Sequence, residues 1–284
     1  MNSKNNLNKY VCLCFAISVY LFSTSTLLSQ SYVTAEGDSI NPRAYITLGY
    51  YSPRMNTSFR LNGPLGLGTE IGLEDLGLEE EKSVFRLDGV VRISPKSQLA
   101  IAYTAINRES SAVLEKRIEV GDEIFDVGSG VGIKFNVDYF ALTWRYSFFN
   151  EKNWNAGVSL GARAVSINTG FGLLRNDGTE DISRTESTSV TAPALLIGIH
   201  GSAYLTPKLL ARYSLEYFQL SVSGIDISVI ESNFSVQYFV WKNLGLGIAY
   251  STNDYQVKDI PLGNFDGQFD FNFGGLNLFL SARL

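Results

Sequence analysis

Apolar and polar side chains alternate along most of this chain, which is the pattern of β-strands whose two faces meet different surroundings. Segment 85–93, for example, places its phenylalanine, leucine and isoleucine on one face and its arginines and aspartate on the other. No sustained helical spacing of apolar residues appears beyond residue 35, so we expect an all-β protein. The predicted strands lie near 44–51, 85–93, 99–105, 133–148, 154–167, 190–204, 209–220, 227–240, 244–257 and 268–284.

The predicted connections alternate between short and long. Tight turns at one end and long loops at the other are typical of outer-membrane barrels, with the tight turns in the periplasm. We therefore predict an antiparallel up-and-down transmembrane β-barrel of about ten strands, with eight as the alternative even number. The short turns lie at 94–98, 149–153, 205–208 and 241–243, the long connections near 54–82, 109–132, 168–188 and 258–267, and only the short connection at 221–226 departs from the rule.

The predicted strands are longer than a bilayer requires, since roughly 9 to 11 tilted residues cross the hydrocarbon core. We expect the excess to project as a rim on the outer side. Aromatic residues near the strand ends predict two girdles at the membrane interfaces. Those beside short turns are Tyr146, Phe148, Phe149, Trp154, Tyr204 and Trp241, and those near long loops are Tyr50, Tyr51, Tyr217, Tyr250 and Tyr255.

The N-terminus has the features of a secretory signal peptide. The first ten residues carry Lys4 and Lys9 without an acid, segment 11–22 is mostly apolar, and Val33-Thr34-Ala35 matches a signal-peptidase site. A membrane anchor is the alternative, but the apolar run breaks up at Ser23, short of about 18 to 20 residues. We predict a signal peptide over 1–35, a short periplasmic N-terminal segment over 36–42 and a barrel over 43–284.

Cysteine use and charge exclude several function classes. Cys12 and Cys14 are the only cysteines and lie in the predicted signal, which excludes disulfides, thiolate catalysis and cysteine metal sites from the mature chain. Removal of Lys4 and Lys9 leaves 21 of the 23 basic residues against 28 acidic ones, a net charge of −7. Nucleic acid is therefore not an expected partner.

A soluble β-sandwich or a lipocalin-like barrel is the alternative fold, because alternation by itself does not tell which face points outward. The signal peptide, the absence of cysteine beyond it, the long strands, the loop asymmetry and the placement of aromatic residues together favour the membrane.

Four segments carry a resemblance to a known group of proteins. Segment 68–78 (GTEIGLEDLGL) followed by 84–88 (VFRLD), and the later pieces 118–122 (IEVGD) and 127–130 (VGSG), resemble small proteobacterial outer-membrane β-barrel proteins, a largely uncharacterised group. The resemblance covers essentially all of 43–284. It implies the fold, an outer-membrane location, and contact with membrane lipid, lipopolysaccharide and the outer-membrane assembly machinery. The resemblance does not indicate any cofactor or activity.

Charged residues alternate with outward apolar ones, which predicts a charged lumen. The simpler, structural interpretation is a network of salt bridges that fills a narrow barrel, because an unpaired buried charge costs several kcal/mol. The alternative is a narrow pore that prefers anions. Inward glycines such as Gly157 and Gly247 either leave a gap or accommodate large neighbours. The predicted lumen residues are Arg86, Asp88, Arg92, Arg163, Arg212, Glu216 and Arg283.

His200 is the only histidine and therefore the first candidate for a general base near neutral pH. It lies in the predicted periplasmic half. The resembling families of outer-membrane lipases, proteases and lipid A deacylases, by contrast, keep their catalytic groups near the outer rim. We expect no enzyme, with an outer-leaflet lipid-modifying enzyme as the distant alternative.

The first long loop is strongly acidic, and clusters of carboxylates can hold a divalent cation. A solvated acidic loop is the simpler interpretation, because the spacing does not match a calcium loop. A cation that bridges the loop to lipopolysaccharide is the partner to test. The acids are Glu70, Glu74, Asp75, Glu79, Glu80 and Glu81.

Overall fold

The computed structural model describes residues 43–62, 68–75, 77–113, 118–120, 123–125, 130–174, 180–222, 224–262 and 265–283. The predicted signal peptide and the segment 36–42 lie outside these residues and stay predictions. None of the described residues forms a helix long and apolar enough to cross a bilayer.

The described residues form thirteen strands. Ten of them build one antiparallel barrel, β5 and β6 pair with each other in the connection between β4 and β7, and β2 lies beside the outer end of β1. The strands are β1 (Ala44–Asn62), β2 (Gly68–Gly72), β3 (Val84–Ser94), β4 (Ser97–Val113), β5 (Ile118–Val120), β6 (Glu123–Phe125), β7 (Gly130–Asn150), β8 (Trp154–Leu174), β9 (Glu180–Thr206), β10 (Leu209–Val222), β11 (Ile225–Phe239), β12 (Leu244–Leu262) and β13 (Phe265–Arg283).

The barrel closes between its first and last strands. β1 pairs with β13 from Tyr45 opposite Arg283 to Asn62 opposite Asp266. Every other barrel strand pairs with its neighbours in the chain, so the topology is up-and-down. The predicted fold class, an all-β antiparallel barrel of ten strands, is confirmed. A closed wall leaves no sheet edge in the lipid, where unpaired backbone groups are costly.

The strands extend farther than the alternation predicted. β9 begins at Glu180 rather than near 190, and β4 continues to Val113 rather than ending near 105. The extra residues lie on the side of the long connections, so the connections predicted at 168–188 and 258–267 are largely continuations of the wall. Three of the four short turns are tighter than predicted, with only residues 95 and 96 between β3 and β4, whereas the turn between β11 and β12 spans 240–243.

A belt of exposed apolar side chains surrounds the half of the barrel nearest the short turns. In water such a belt would be a large exposed apolar patch, whereas in a membrane it faces the acyl chains. By the rule for outer-membrane barrels, the short turns face the periplasm. Representative belt residues are Ile46, Leu48 and Tyr50 on β1, Leu99, Ile101 and Tyr103 on β4, Leu195, Ile197 and Ile199 on β9, and Leu276, Leu278 and Leu280 on β13.

The two faces of the wall exchange character above this belt. Toward the long connections the outward side chains become polar and the inward ones apolar, which is the arrangement of a soluble β-protein. In β7 the outward residues, read toward the periplasm, are Lys134, Asn136, Asp138, Phe140, Leu142 and Trp144, and the inward ones are Ile133, Phe135, Val137, Tyr139, Thr143 and Arg145.

The predicted aromatic girdles are partly wrong. Phe148, Phe149 and Trp241 are exposed near the periplasmic turns, as expected. Tyr51 and Tyr255, however, are buried and face the lumen. Tyr204 is also buried, and it packs with Leu210 and Phe239 at the periplasmic end of the barrel. Nearness to a strand end does not specify which face a residue occupies, since neighbouring residues point to opposite faces.

Candidate functional site

The outer half of the lumen contains an apolar core. Sixteen buried residues, contributed by β1, β4, β7, β8, β9, β11, β12, β13 and the segment after β2, form one cluster. The ring of Phe135 on β7 lies 5.8 Å from that of Phe271 on β13, and the ring of Tyr139 lies 6.1 Å from that of Phe273. Three strands separate β7 from β13 around the wall. Side chains from distant parts of the wall therefore meet across the lumen and close it.

A short segment between β2 and β3 adds to this core from above. Leu73 and Leu78 are buried in the cluster. The backbone N–H of Leu73 donates to the Thr57 carbonyl at 2.9 Å, and that of Met55 donates to the Glu80 carbonyl at 2.7 Å. We name residues 73–75 and 77–80 the cap segment, because they fold against β1 and fill the outer end of the lumen.

An ion pair fixes the cap segment. Arg108 of β4 is fully buried, with 0% of its surface exposed. Its Nη1 donates to Glu74 Oε1 at 2.6 Å, and its Nη2 donates to Thr57 Oγ1 at 2.7 Å. Glu74 Oε2 accepts the Thr57 backbone N–H at 2.8 Å. The guanidinium also lies 4.8 Å from the centre of the Phe135 ring.

A layer of buried charge lies beneath the apolar core. Arg163 of β8 donates through Nε to Glu231 Oε2 at 2.9 Å and through Nη2 to Glu216. The hydroxyl groups of Tyr139 and Tyr255 also donate to Glu231. These bonds join β7, β8, β10, β11 and β12 across the lumen. Glu231 is thus the centre of the layer.

A cavity of about 150 Å³ lies on the periplasmic side of this layer. Its lining is polar and includes Arg86, Asp88, Arg145, His200 and Arg212, together with Arg163 and both glutamates of the layer.

The lower boundary of the cavity consists of aromatic and basic side chains. Arg212 of β10 reaches across the lumen, with its guanidinium 4.5 Å from the centre of the Tyr45 ring on β1, and its Nη1 donates to Gln237 Oε1 at 2.7 Å. The guanidinium of Arg283 lies 3.4 Å from the centre of the Phe239 ring.

The seven predicted lumen residues all lie on inward positions of their strands, but the structure does not join them in one network. Arg163 and Glu216 belong to the charged layer. Arg86 and Asp88 pair with each other at 3.0 Å beside the cavity. Arg212 and Arg283 contact aromatic rings near the periplasmic end. Arg92 lies near the turn after β3, where its backbone N–H donates to the Arg43 carbonyl at 2.8 Å.

The sequence prediction missed three charged residues of the lumen. Glu231 was missed because segment 227–240 was read only as an alternating strand. Arg108 lies three residues beyond the predicted end of its strand, which was placed near 105. Arg145 lies an even number of residues after Tyr139 and therefore occupies the same inward face of β7. Extending the alternation of β7 along its whole length would have identified it.

One inward glycine allows a close approach of two neighbouring strands. A Cβ at Gly157 would lie 1.8 Å from the Tyr146 carbonyl oxygen, so only glycine fits there. The register shifts between β7 and β8 at this point, between Ser147 and Phe149. Gly247 differs, because the atoms nearest to its missing Cβ belong to the Phe279 ring. The prediction that inward glycines accommodate large neighbours describes Gly247 and fails for Gly157, whose neighbour is a backbone carbonyl.

His200 is 7% exposed and lines the cavity. It forms a hydrogen bond with the backbone of Tyr146, while its Nε2 has no hydrogen-bond partner. No described serine, threonine or carboxylate is hydrogen-bonded to this ring, so the described residues do not include a nucleophile–base pair built on it.

Four of the six acids of the first loop have basic partners among the described residues, including Glu80, which lies 3.8 Å from Arg54. Besides Glu74 with Arg108, Glu79 pairs with Lys82 at 2.9 Å, and Glu81 pairs with Arg54 at 3.1 Å. Among the described residues, no group of three acidic, histidine or cysteine side chains has the geometry to hold a metal ion. The cation bridge to lipopolysaccharide stays a prediction.

Comparisons with known proteins define the fold. No protein-family model and no curated protein sequence matches the chain. The outer membrane protease OmpT from Escherichia coli matches with a TM-score of 0.56 at 11% identity, over 89% of this chain and 100% of that chain. The outer membrane protein OprG from Pseudomonas aeruginosa covers 87% of this chain and 99% of its own at 10% identity, with a TM-score of 0.35.

At this identity the similarity to OmpT shows the fold alone, which is that of an outer-membrane barrel. Together with the exposed apolar belt, this fold places the protein in a bacterial outer membrane. The uncharacterised group named from the sequence stays a resemblance, since no sequence comparison matches.

Proposed function

We propose that this protein is a non-enzymatic, non-conducting barrel of the outer membrane, and that it acts through its projecting outer half. Its lower half carries a lipid-facing belt, while its outer half has a polar exterior around an apolar core. Membrane lipid and lipopolysaccharide are its expected neighbours.

One observation supports this proposal above all, namely the contact between the rings of Phe135 and Phe271 across the lumen. An open pore needs a continuous path of water, whereas this core is apolar and has side chains of distant strands in direct contact. Beneath the core, the Arg163–Glu231 pair crosses the lumen a second time. Ions would have to displace both layers.

The projecting half is suited to contact with other molecules because it is rigid. β13 continues for about ten residues above its belt, from Phe265 to Gly274, which is roughly 25 Å of height for a tilted strand. Its outward side chains include Asp270 and Asn272, and those of the paired β12 include Asp254. A core-supported wall of this kind presents polar groups in fixed positions.

An anion-preferring pore is the second candidate. Its supporting observation is the polar cavity with Arg145 and Arg212, two arginines that have no carboxylate partner among the described residues. The cavity is blind on its outer side in this structure. Conduction would therefore require the apolar core to rearrange.

The conductance of the protein in a planar bilayer tests the proposal. We expect the folded wild-type protein to insert without conductance steps, whereas an open porin in the same apparatus conducts. Insertion is checked by recovery of the heat-modifiable folded band from the bilayer lipid. Steady single-channel steps from wild-type protein would refute a closed lumen and favour the pore.

The absence of enzymatic activity needs its own test, because OmpT is described as a protease. We expect folded protein to leave peptide, phospholipid and lipid A substrates unchanged. Any turnover that is lost in His200→Asn and retained in an exposed control, Arg54→Gln, would contradict the proposal.

A further inference from the structure

We propose that the periplasmic cavity of the barrel binds a small phosphate-class oxyanion between Arg145, His200 and Arg212. The cavity is open to such a ligand only from the periplasmic end, because the charged layer and the apolar core close its outer side. This site is independent of the proposed outer-surface function.

Among the described residues, no carboxylate pairs with Arg145 or Arg212, so both supply positive charge to the cavity. Arg86 pairs with Asp88, and Arg163 pairs with Glu216 and Glu231. Arg145 has no ion pair with any described residue, and its buried Nε has no hydrogen-bond partner among them. Two buried guanidinium groups that have no carboxylate partner among the described residues are costly unless an anion joins them.

Within the part of the chain that the structure describes, the partners of the Arg212 side chain are neutral. Its Nη1 donates to the Gln237 side chain, and its guanidinium lies over the Tyr45 ring. Both contacts orient the group toward the lumen and leave donors of the fork available. A guanidinium fork matches the oxygens of a phosphate or carboxylate.

His200 provides a third, independent indication of a ligand. The side chain is 93% buried, its ring is bonded to the backbone of Tyr146, and its Nε2 is unpartnered although it lines the cavity. Buried polar atoms without a partner are uncommon in native proteins and call for a water, an ion or a ligand. The Nε2 atom is the one that the ligand would meet.

The strand register brings the three side chains together. His200 lies on β9, opposite Ser214 of β10, two residues beyond Arg212. On its other side it lies opposite Gly157 of β8, two residues before Ser159, which in turn faces Arg145 on β7. Adjacent strands lie about 4.8 Å apart. The three side chains thus come from β7, β9 and β10, within four neighbouring strands of the wall.

The acids of the charged layer do not occupy this part of the cavity. Glu216 lies four residues farther along β10 than Arg212, which is roughly 13 Å along the strand. Glu231 is held by Arg163 and two tyrosine hydroxyls. The upper wall of the cavity is therefore acidic and the lower wall basic, which favours an anion near the periplasmic mouth.

The size of the cavity selects a small ligand. Its volume of about 150 Å³ is that of a cavity known to admit benzene. Inorganic phosphate fits such a space, and so does the phosphate group of a molecule whose remainder extends into the periplasm.

Calorimetric titration of the full chain, folded in detergent micelles, with inorganic phosphate at constant ionic strength tests this inference. We expect saturable binding at one site per chain. Arg145→Gln and Arg212→Gln should each weaken it by about ten-fold or more, since each removes a charge-assisted hydrogen bond. Arg54→Gln, an exposed arginine of the outer half, is the matched control and should bind as wild type.

A folding check, a charge-retaining variant and a second ligand complete the titration. Heat-modifiable migration on gels verifies that each variant is folded, and Arg145→Lys, which retains the charge, should retain most of the affinity. Glycerol 3-phosphate binding as tightly as phosphate identifies a phosphate group on a larger molecule, whereas its failure identifies the free oxyanion. The inference is overturned if wild-type protein shows no saturable binding, or if both glutamine variants bind as tightly as wild type.

Discussion

Individual side chains decide where the lumen is open and where it is closed. Arg163 is the clearest case, because one guanidinium compensates two buried carboxylates, those of Glu216 and Glu231. The ion pairs of Arg54, by contrast, lie at the surface, with 71% of its side chain exposed. Ion pairs between the same residue types therefore differ in their effect on stability, since burial determines the cost of a missing partner.

Replacement of Arg163 by methionine is expected to destabilise the barrel strongly. The change leaves Glu216 and Glu231 buried without a cation, which costs about 3–5 kcal/mol in comparable buried pairs. Denaturant unfolding in lipid vesicles, followed by the fluorescence of the three tryptophans, gives the free energy of unfolding. Arg54→Met is the matched control and should change it by about 1 kcal/mol or less. Equal losses in the two variants would contradict the assignment.

Gly157→Ala is expected to disturb the wall beside the cavity. The added methyl would meet the Tyr146 carbonyl oxygen at 1.8 Å, which is backbone and does not yield easily. Gly89→Ala is the control, because its methyl would first meet the Ile101 side chain at 3.2 Å. We expect a lower denaturation midpoint for Gly157→Ala than for Gly89→Ala. Indistinguishable midpoints would show that β7 accommodates the methyl by shifting.

Whole strands show why the sequence predicted the fold well and the boundaries poorly. β7 alternates from end to end, but its apolar residues lie on the inward face at Phe135 and on the outward face at Leu142. A sequence search for a strand with one continuously apolar face therefore ends near Tyr139, where the apolar residues change from the inward face to the outward face. The same exchange in β13, from inward Phe271 to outward Leu278, concealed the projecting half. A search for strict alternation without a fixed parity would have predicted both.

The cap segment could not be predicted from alternation, because it is a turn whose position depends on long-range contacts. Glu74 appears in the sequence only as one of several acids, and Arg108 lies beyond the predicted strand. Their pairing connects residues 34 positions apart. Only the closed barrel brings them into contact.

Glu74→Gln is expected to loosen the cap segment. The change removes the charge that holds Arg108, and a hydrogen bond to a charged group contributes about 1.5–3 kcal/mol. Amide hydrogen exchange over residues 73–82, measured by mass spectrometry, should accelerate by about ten-fold or more. Glu79→Gln, which affects only the exposed pair with Lys82, is the control. Similar exchange rates in both variants would show that the ion pair between Arg108 and Glu74 does not hold the cap segment.

The molecule as a whole consists of two stacked halves that share one wall. The periplasmic half has a membrane-type arrangement, with apolar side chains outside and polar ones inside. The outer half has the arrangement of a soluble protein, with a core around Phe135 and Phe271. The sequence prediction of a charged lumen describes only the first half. The physical reason is that lipid surrounds one half and water the other.

Labelling of single cysteines along β7 tests this account most directly. In a parent with Cys12→Ser and Cys14→Ser, each cysteine variant on intact cells is exposed to a membrane-impermeant thiol reagent. We predict labelling at Lys134→Cys and Asp138→Cys, which face outer water, and none at Phe135→Cys, Val137→Cys or Phe140→Cys, which face the core or lipid. Labelling of Phe135→Cys and Val137→Cys as fast as Lys134→Cys would show a water-filled lumen and contradict the account.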